Sequence, residues 1–199
     1  LTREVLRIAW PMVISELSDS LYSIADTYFV SKIGTVALAA VGVGSYLAWL
    51  FFVIVALFSI GVLVYAAQSY GAGEINAARR ALGESLIFGA AASFAVSVAV
   101  FYFTPSLITI ITGPNPDLIE VAASYFRVRI LGLPALAVAL MMDSVVRAVG
   151  ATRYSMVAVV SSAFLNVVLD PILIFGLLGA PKLGVAGAAL ATVISIVYM

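Results

Sequence analysis

Glu16-Leu-Ser-Asp19-Ser-Leu-Tyr22-Ser-Ile-Ala-Asp26-Thr27 sets three carboxylates inside an apolar run that begins near Val5 and ends near Ile33. A charged side chain at bilayer depth costs at least ~2.5–3.5 kcal/mol on insertion scales, so acids there are seldom kept without a use. At ~100° per residue, Asp19 and Asp26 fall almost over each other, with Tyr22 close by on the same face. The stretch reads as a polar stripe on a membrane helix, turned toward a cavity or ion path inside a helical bundle.

Composition agrees. The chain has 199 residues, 64% hydrophobic and only 10% charged, against roughly 25% charged in soluble domains. It reads as an integral membrane protein with the lipid bilayer as its medium. Ten Lys and Arg balance ten Asp and Glu, which gives no sign of nucleic-acid binding and no polybasic lipid patch. Cysteine and histidine are absent. Disulfides, thiolate metal sites, haem attachment and Ser-His or Cys-His nucleophiles are thereby excluded, and any proton relay falls to carboxylates.

Outward from the opening stretch, the apolar runs divide the chain into segments of about 5–33, 37–67, 81–103, 118–146, 154–178 and 184–199. The expectation is an all-α polytopic membrane protein with five full spans and a shortened sixth. Trp10-Pro11 reads as an interfacial anchor with a proline in a first helical turn. The second run is rich in aromatics (Tyr46, Trp49, Phe51, Phe52, Phe58, Tyr65) suited to lipid contact or packing. Gly71-Ala-Gly73-Glu74 turns the chain, and Asn76 to Arg80 reads as a short polar helix start. No strand precedes Gly71-x-Gly73, so it is no nucleotide fingerprint. Glu84, near the start of the third run, is ordinary dipole complementarity.

Thr104-Pro105 and Gly113-Pro114-Asn115-Pro116 are expected to bracket a loop, and three prolines in so short a segment to exclude a span. Pro134 is expected to bend the fourth run. Asp143 and Arg147, four apart with the acid first, suggest a local ion pair. The last run stops at Met199, short of the ~20 residues that a span needs, so the sequence reads as ending inside its sixth helix. Arg3 and Arg7, Arg79 and Arg80, and Arg147 and Arg153 outnumber Lys32 and Lys182 on the alternate side, and Arg127 and Arg129 narrow the margin without reversing it. The positive-inside rule then puts the N-terminus in the cytoplasm.

The fifth run carries Asn166 and Asp170 on one helix face, with Pro171 directly after. Proline cannot donate the hydrogen bond that the Val167 carbonyl would accept. A carboxylate, an amide oxygen and a freed carbonyl suit a hard cation such as sodium. Without a cation, neighbouring acids in a low-dielectric bundle suit proton loading. In the last run, Gly184, Ala188 and Thr192 form one row of small residues and Gly187, Ala191 and Ser195 another, which lets helices approach closely.

These residues together resemble the multidrug and toxic compound extrusion (MATE) family. The resemblance runs from Pro11-Met-Val-Ile-Ser-Glu-Leu-Ser-Asp19 through Tyr22 to Asp26-Thr-Tyr-Phe-Val. It continues in Ala67-Gln68-Ser-Tyr-Gly71-Ala-Gly73, Tyr125-Phe-Arg127 with Gly132-Leu-Pro134, and Arg147-Ala-Val-Gly150-Ala-Thr. Asn166-Val-Val-Leu-Asp170-Pro-Ile-Leu-Ile-Phe-Gly176 and Gly184-Val-Ala-Gly187-Ala-Ala-Leu-Ala-Thr192 complete it. It implies a twelve-helix transporter of two six-helix lobes, of which this chain resembles the N-terminal one, with a C-terminal lobe as partner. It further implies export of small amphipathic, often cationic compounds across the plasma membrane in exchange for sodium or protons, with no other cofactor. Carried over by position, the coupling-ion set is Asp26, Asn166, Asp170 and Thr192, with sodium possible at the first three, and Tyr22 and Tyr125 border the same cavity. Asp19 stands where many relatives carry glutamine, and Glu16 is also unusual; Asp19 is assigned to the cavity or its gating.

Two other classes are weighed against this one. A lipid or lipid-linked oligosaccharide flippase of related fold would line its cavity with basic residues for pyrophosphate, whereas acids dominate here. A membrane enzyme on prenyl diphosphates would need clustered Asp-rich metal motifs, and a channel would need rings of like residues. Neither pattern is visible, so the chain is expected not to be an enzyme.

Overall fold

In a computed structural model, the structure describes the backbone of residues 2–199 and the side chains of residues 9–199. The chain forms α1 (Thr2–Ser31), α2 (Thr35–Gly71), α3 (Ile75–Thr112), α4 (Pro116–Leu131), α5 (Leu133–Ala148), α6 (Thr152–Phe175), a 3-10 turn (Leu177–Gly179) and α7 (Val185–Tyr198). No strand occurs among the described residues. The all-α polytopic membrane fold follows from backbone chemistry, since every N–H and C=O must be satisfied within a segment where water is absent. By length and composition α2, α3 and α6 can each cross a bilayer, and α4 with α5 forms a fourth, broken span. The side chains of Arg3 and Arg7, used in the orientation count, lie outside the described residues.

α4 and α5 meet at 46°. The break falls at Gly132, two residues before the proline expected to cause the bend. Pro134 sits in the first turn of α5, where its missing N–H is harmless. The Ile130 carbonyl, which residue 134 would bond in a continuous helix, accepts from Ser97 Oγ on α3 at 2.7 Å in addition to a backbone N–H at the turn. That cross-helix bond ties the break to its neighbour.

α3 corrects the loop expected at Thr104-Pro105: the helix continues through Pro105 to Thr112. An internal proline costs ~3 kcal/mol. Thr104 and Ile108, both fully buried on either side of Pro105, supply the packing that offsets it. Thr104 Oγ1 also bonds the Val100 carbonyl at 2.8 Å, a local repair typical of membrane helices. The loop shrinks to residues 113–115, where Asn115 caps α4 by accepting from the Leu118 N–H at 3.3 Å. Asn76–Arg80, read as a short polar helix start, forms the first turns of α3.

Two apolar clusters hold the helices. One joins Leu47, Val55, Ile108, Phe126, Ile130 and Leu133 from α2, α3, α4 and α5. The other joins Val30, Val41, Tyr125, Ile174, Val185 and Ala188 from α1, α2, α4, α6 and α7. On the outer face of α2, Tyr46, Trp49, Phe52, Phe58 and Tyr65 are exposed, as lipid-facing residues should be. Phe51 instead turns in toward the Phe126 ring.

α1 lies along α6, and two contacts fix their relation. The Arg153 guanidinium stands 5.8 Å over the Trp10 ring at one end. Phe29 meets Phe175 edge-on, 6.5 Å between centroids, at the other. The helices therefore run parallel in near-constant register, which brings the level of Asp26 to that of Asp170. α6 ends at Gly176, whose left-handed φ of 76° turns the chain back. The return segment then lays Leu183 N on Leu173 O at 3.0 Å and Gly184 N on Ile174 O at 3.2 Å, and seats α7 antiparallel on α6.

Candidate ion-coupling site

The inward stripe of α1 includes Pro11, Ser15, Ser18, Tyr22, Ala25, Asp26, Phe29 and Val30, partly or fully buried positions that recur at helical spacing. Asp26 and Tyr22 belong to it. Asp19, expected on the same face, remains exposed. The difference arises along the axis: the second cluster joins α1, α2, α6 and α7 around Val30, one turn from Asp26, whereas Asp19 lies about 10 Å further in. At that level the charged neighbours of Asp19 are Glu16 on its own helix and Asp143 and Arg147 on α5.

Across from α1, Asn166 and Asp170 are both buried on α6, Asp170 completely. Close approach of α7 makes this possible, because its buried face is built from Gly187, Ala188, Ala191, Thr192 and Ser195. Both predicted small-residue rows thus contribute to the contact. Asn166 Nδ2 donates to Thr192 Oγ1 at 3.4 Å. With its amide turned over, Asn166 donates to Asp170 Oδ2 at 3.2 Å and accepts from the Thr192 backbone N–H at 3.1 Å. In either orientation Asn166 ties α6 to α7 beside Asp170. A further tie, Ser162 Oγ to Ser195 O at 2.7 Å, lies one turn along.

Asp26 and Asp170 are close enough for their charges to act on each other. Each has a buried Oδ1 with no hydrogen-bonding protein group. Two carboxylates, an amide and a hydroxyl form an oxygen-rich set that fits a monovalent hard cation or shared protons. Among the described residues no group of three or more acids, histidines or cysteines could hold a metal ion, so a multivalent metal centre has no support here. Tyr125 on α4 is buried, shares a 3.0 Å hydrogen bond with Ser45 on α2, and closes the set from a third side.

Sequence reasoning missed Arg129. It counted only toward orientation, yet its Nε is buried without a partner and its charge reaches Asp26, Tyr22 and Tyr125. The available signal was its spacing of four residues from Tyr125, which puts both on one face of α4. Arg127 points elsewhere, with its guanidinium 5.3 Å from the centre of the Phe101 ring on α3. The Asp143 and Arg147 pair forms as expected, Nε to Oδ2 at 2.6 Å, and Ser155 on α6 bonds both partners.

The MatE family model matches residues 11–172. A probable multidrug resistance protein NorM of Thermotoga maritima is 29% identical over 97% of this chain and 41% of its own length. Protein DETOXIFICATION 44, chloroplastic, of Arabidopsis thaliana is 34% identical over 96% of this chain and 38% of its own length. A crystal structure of MATE in the straight conformation superposes with a TM-score of 0.89 at 29% identity, over 98% of this chain and 42% of that one. The chain thus spans about two fifths of the length of these relatives. With the family model covering most of its length, and with the helical order and packing shared with a solved MATE structure, the chain belongs to the MatE family of membrane transport proteins.

Proposed function

We propose that this chain is the N-terminal lobe of an ion-coupled efflux transporter that exports amphipathic, often cationic compounds by alternating access. In this reading Asp26 and Asp170 load sodium or protons, and Asn166 and Thr192 orient the Asp170 side of the site. The observation that carries it is the pair of buried, unpartnered carboxylate oxygens, one on Asp26 of α1 and one on Asp170 of α6, at matching levels of two parallel helices. Carboxylate oxygens at membrane depth that no protein group donates to are suited to exchange an ion rather than to hold structure. Tyr22 and Tyr125 line the approach, and Asp19 borders the same path nearer the other face. The Thermotoga relative is named a probable multidrug resistance protein, and MepA of Staphylococcus aureus a multidrug export protein. The reading further places the lobe in the plasma membrane with a cytoplasmic N-terminus and a C-terminal lobe as partner.

A flippase of pyrophosphate-linked lipids would call for a cluster of basic groups. Of the two α4 arginines only Arg129 lies toward Asp26, so the transporter reading stands better. The test is Asp26→Asn and Asp170→Asn in the full-length transporter reconstituted in liposomes. Both variants should insert normally and lose antiport, read as substrate-dependent fluorescence quenching under an imposed sodium or proton gradient. Normal transport by both would sink the assignment, and the gradient that drives the wild type identifies the ion.

A further inference from the structure

Among the described residues Arg127, Arg129 and Arg147 are the partly buried basic groups, and of these Arg129 alone has neither an acid nor an aromatic ring paired with it. Arg147 is paired with Asp143, Arg153 lies over Trp10, Arg127 over Phe101 and Lys32 over Tyr28. Arg129 has no such partner, and its Nε is buried. A guanidinium stays charged at any physiological pH, and one held partly out of water, as that of Arg129 is, favours opposite charge nearby. The acids of its own helix, Asp117 and Glu120, are exposed two to three turns away.

The register of α4 along α7 shows where that compensation lies. Tyr125 clusters with Val185, Ala188 and Ala189. Gly132 touches α7 at Val193, where a Cβ would lie 2.6 Å from Cγ2. The two helices run parallel, so Arg129 is level with the turn of α7 that carries Thr192, and hence with Asn166. Arg129 shares a helix face with Tyr125, which packs in the cluster containing Val30 of α1 and Ile174 of α6.

We propose that Arg129 is a resident counter-cation on the Asp26 side of the acid pair, so that the site carries one net negative charge and takes up a single monovalent cation per cycle. The inference rests on the proposed ion-coupling role of the two acids. Two ionised carboxylates alone would favour two cation equivalents, whether sodium or protons. With Arg129 fixed beside them, one entering cation balances the site, and its departure leaves Arg129 to compensate one carboxylate. Arg129 is therefore a positioning residue that sets stoichiometry and limits affinity, without itself being exchanged.

The test counts ion uptake by the full chain in nanodiscs, with radioactive sodium for sodium binding and an indicator dye for proton uptake. The Asp26→Asn/Asp170→Asn double variant is the baseline. Wild type should take up one cation equivalent above that baseline, summed over the two ions, and Arg129→Lys should match it. Arg129→Gln and Arg129→Met should take up two and bind the first about tenfold tighter or more, as removal of a nearby positive charge requires. A gain of affinity cannot come from misfolded protein, and two isolating variants are run so that one failing to insert leaves the other. One equivalent at wild-type affinity, or weaker uptake in every inserted variant, overturns the proposal. Wild-type uptake equal to the baseline would instead remove the ion site itself, whatever Arg129 does.

Discussion

Gly187→Ala is the sharpest structural test of how the site is assembled. A Cβ on Gly187 would overlap the Leu173 carbonyl oxygen and lie 2.6 Å from its carbon and 2.9 Å from the Ile174 nitrogen. These are backbone atoms of α6, and the Leu173 oxygen already accepts the Leu183 N–H at 3.0 Å, so none can swing aside. To bring the Leu173 oxygen to an ordinary contact near 3.4 Å, α7 must retreat by about 1 Å, a displacement that close-packed interiors resist. The Asn166 to Thr192 contact, already 3.4 Å, then passes out of hydrogen-bond range, and the 2.7 Å Ser162 to Ser195 bond is stretched. Overpacking costs about 1–3 kcal/mol and each lost hydrogen bond about 1 kcal/mol, so the total is about 2–4 kcal/mol. For a chain of this size that corresponds to a fall in apparent Tm of roughly 5–15 °C. The assay is thermal unfolding in detergent followed by circular dichroism, with Gly61→Ala as control. Gly61 lies on α2 with nothing within 4 Å of an added Cβ, so it shares the gain in helix propensity without the clash. Equal melting of the two variants would refute the claim that α7 is seated by backbone contact at Gly187.

Two further substitutions probe the walls of the site. Gly44→Ala puts a Cβ 2.5 Å from Tyr125 Cδ1, so the buried ring must move and its hydrogen bond to Ser45 breaks. A loss of about 1–3 kcal/mol is expected, and melting indistinguishable from Gly42→Ala, an open position on the same helix, would count against it. Ser97→Ala removes the hydroxyl that bonds the Ile130 carbonyl beside the α4–α5 break. The expected cost is about 1–2 kcal/mol in thermal or denaturant unfolding, and unchanged stability would show that the break holds without α3.

Much of the fold was legible because membrane helices write themselves as apolar runs, and the helix-breaking glycines between α1, α2 and α3 stood where the chain turns. The same signal failed at Pro105, where a local propensity was overridden by the burial of Thr104 and Ile108, a tertiary fact. It misplaced the bend in the fourth span for a related reason. Proline is tolerated in a helix's first turn, so Pro134 marks where a new helix begins and Gly132 is where the old one ends. On α6 and α7 the spacing of Asn166, Asp170 and the small-residue rows translated directly into contacts, because both are read along single helices. Arg129 and Asp19 did not translate. Which side of α4 meets the acids, and how far α2 and α7 cover α1, depend on packing between helices distant in sequence.

The distribution of the site over those helices bears on its mechanism. Asp170, Asn166 and Thr192 belong to a pair fixed by backbone contact at Gly187 and by side-chain ties at Thr192 and Ser195. Asp26 belongs to α1, which exposes Leu17, Leu21, Ile24 and Tyr28 and joins the second cluster at Val30, near its end. A ligand shifts a conformational equilibrium only by binding one state better than another. An ion touching Asp170 alone would leave α1 indifferent, and one touching Asp26 alone would have no fixed point to hold it against. On the proposed reading, an ion shared between them binds best when α1 lies against α6, so its arrival and loss become changes in how α1 sits. Tyr22 and Asp19, which the same reading gives to the substrate path, are carried on that helix one and two turns from Asp26 and move with it. Coupling then needs no relay through the lobe: one end of α1 reads the ion, and the next turns meet the substrate.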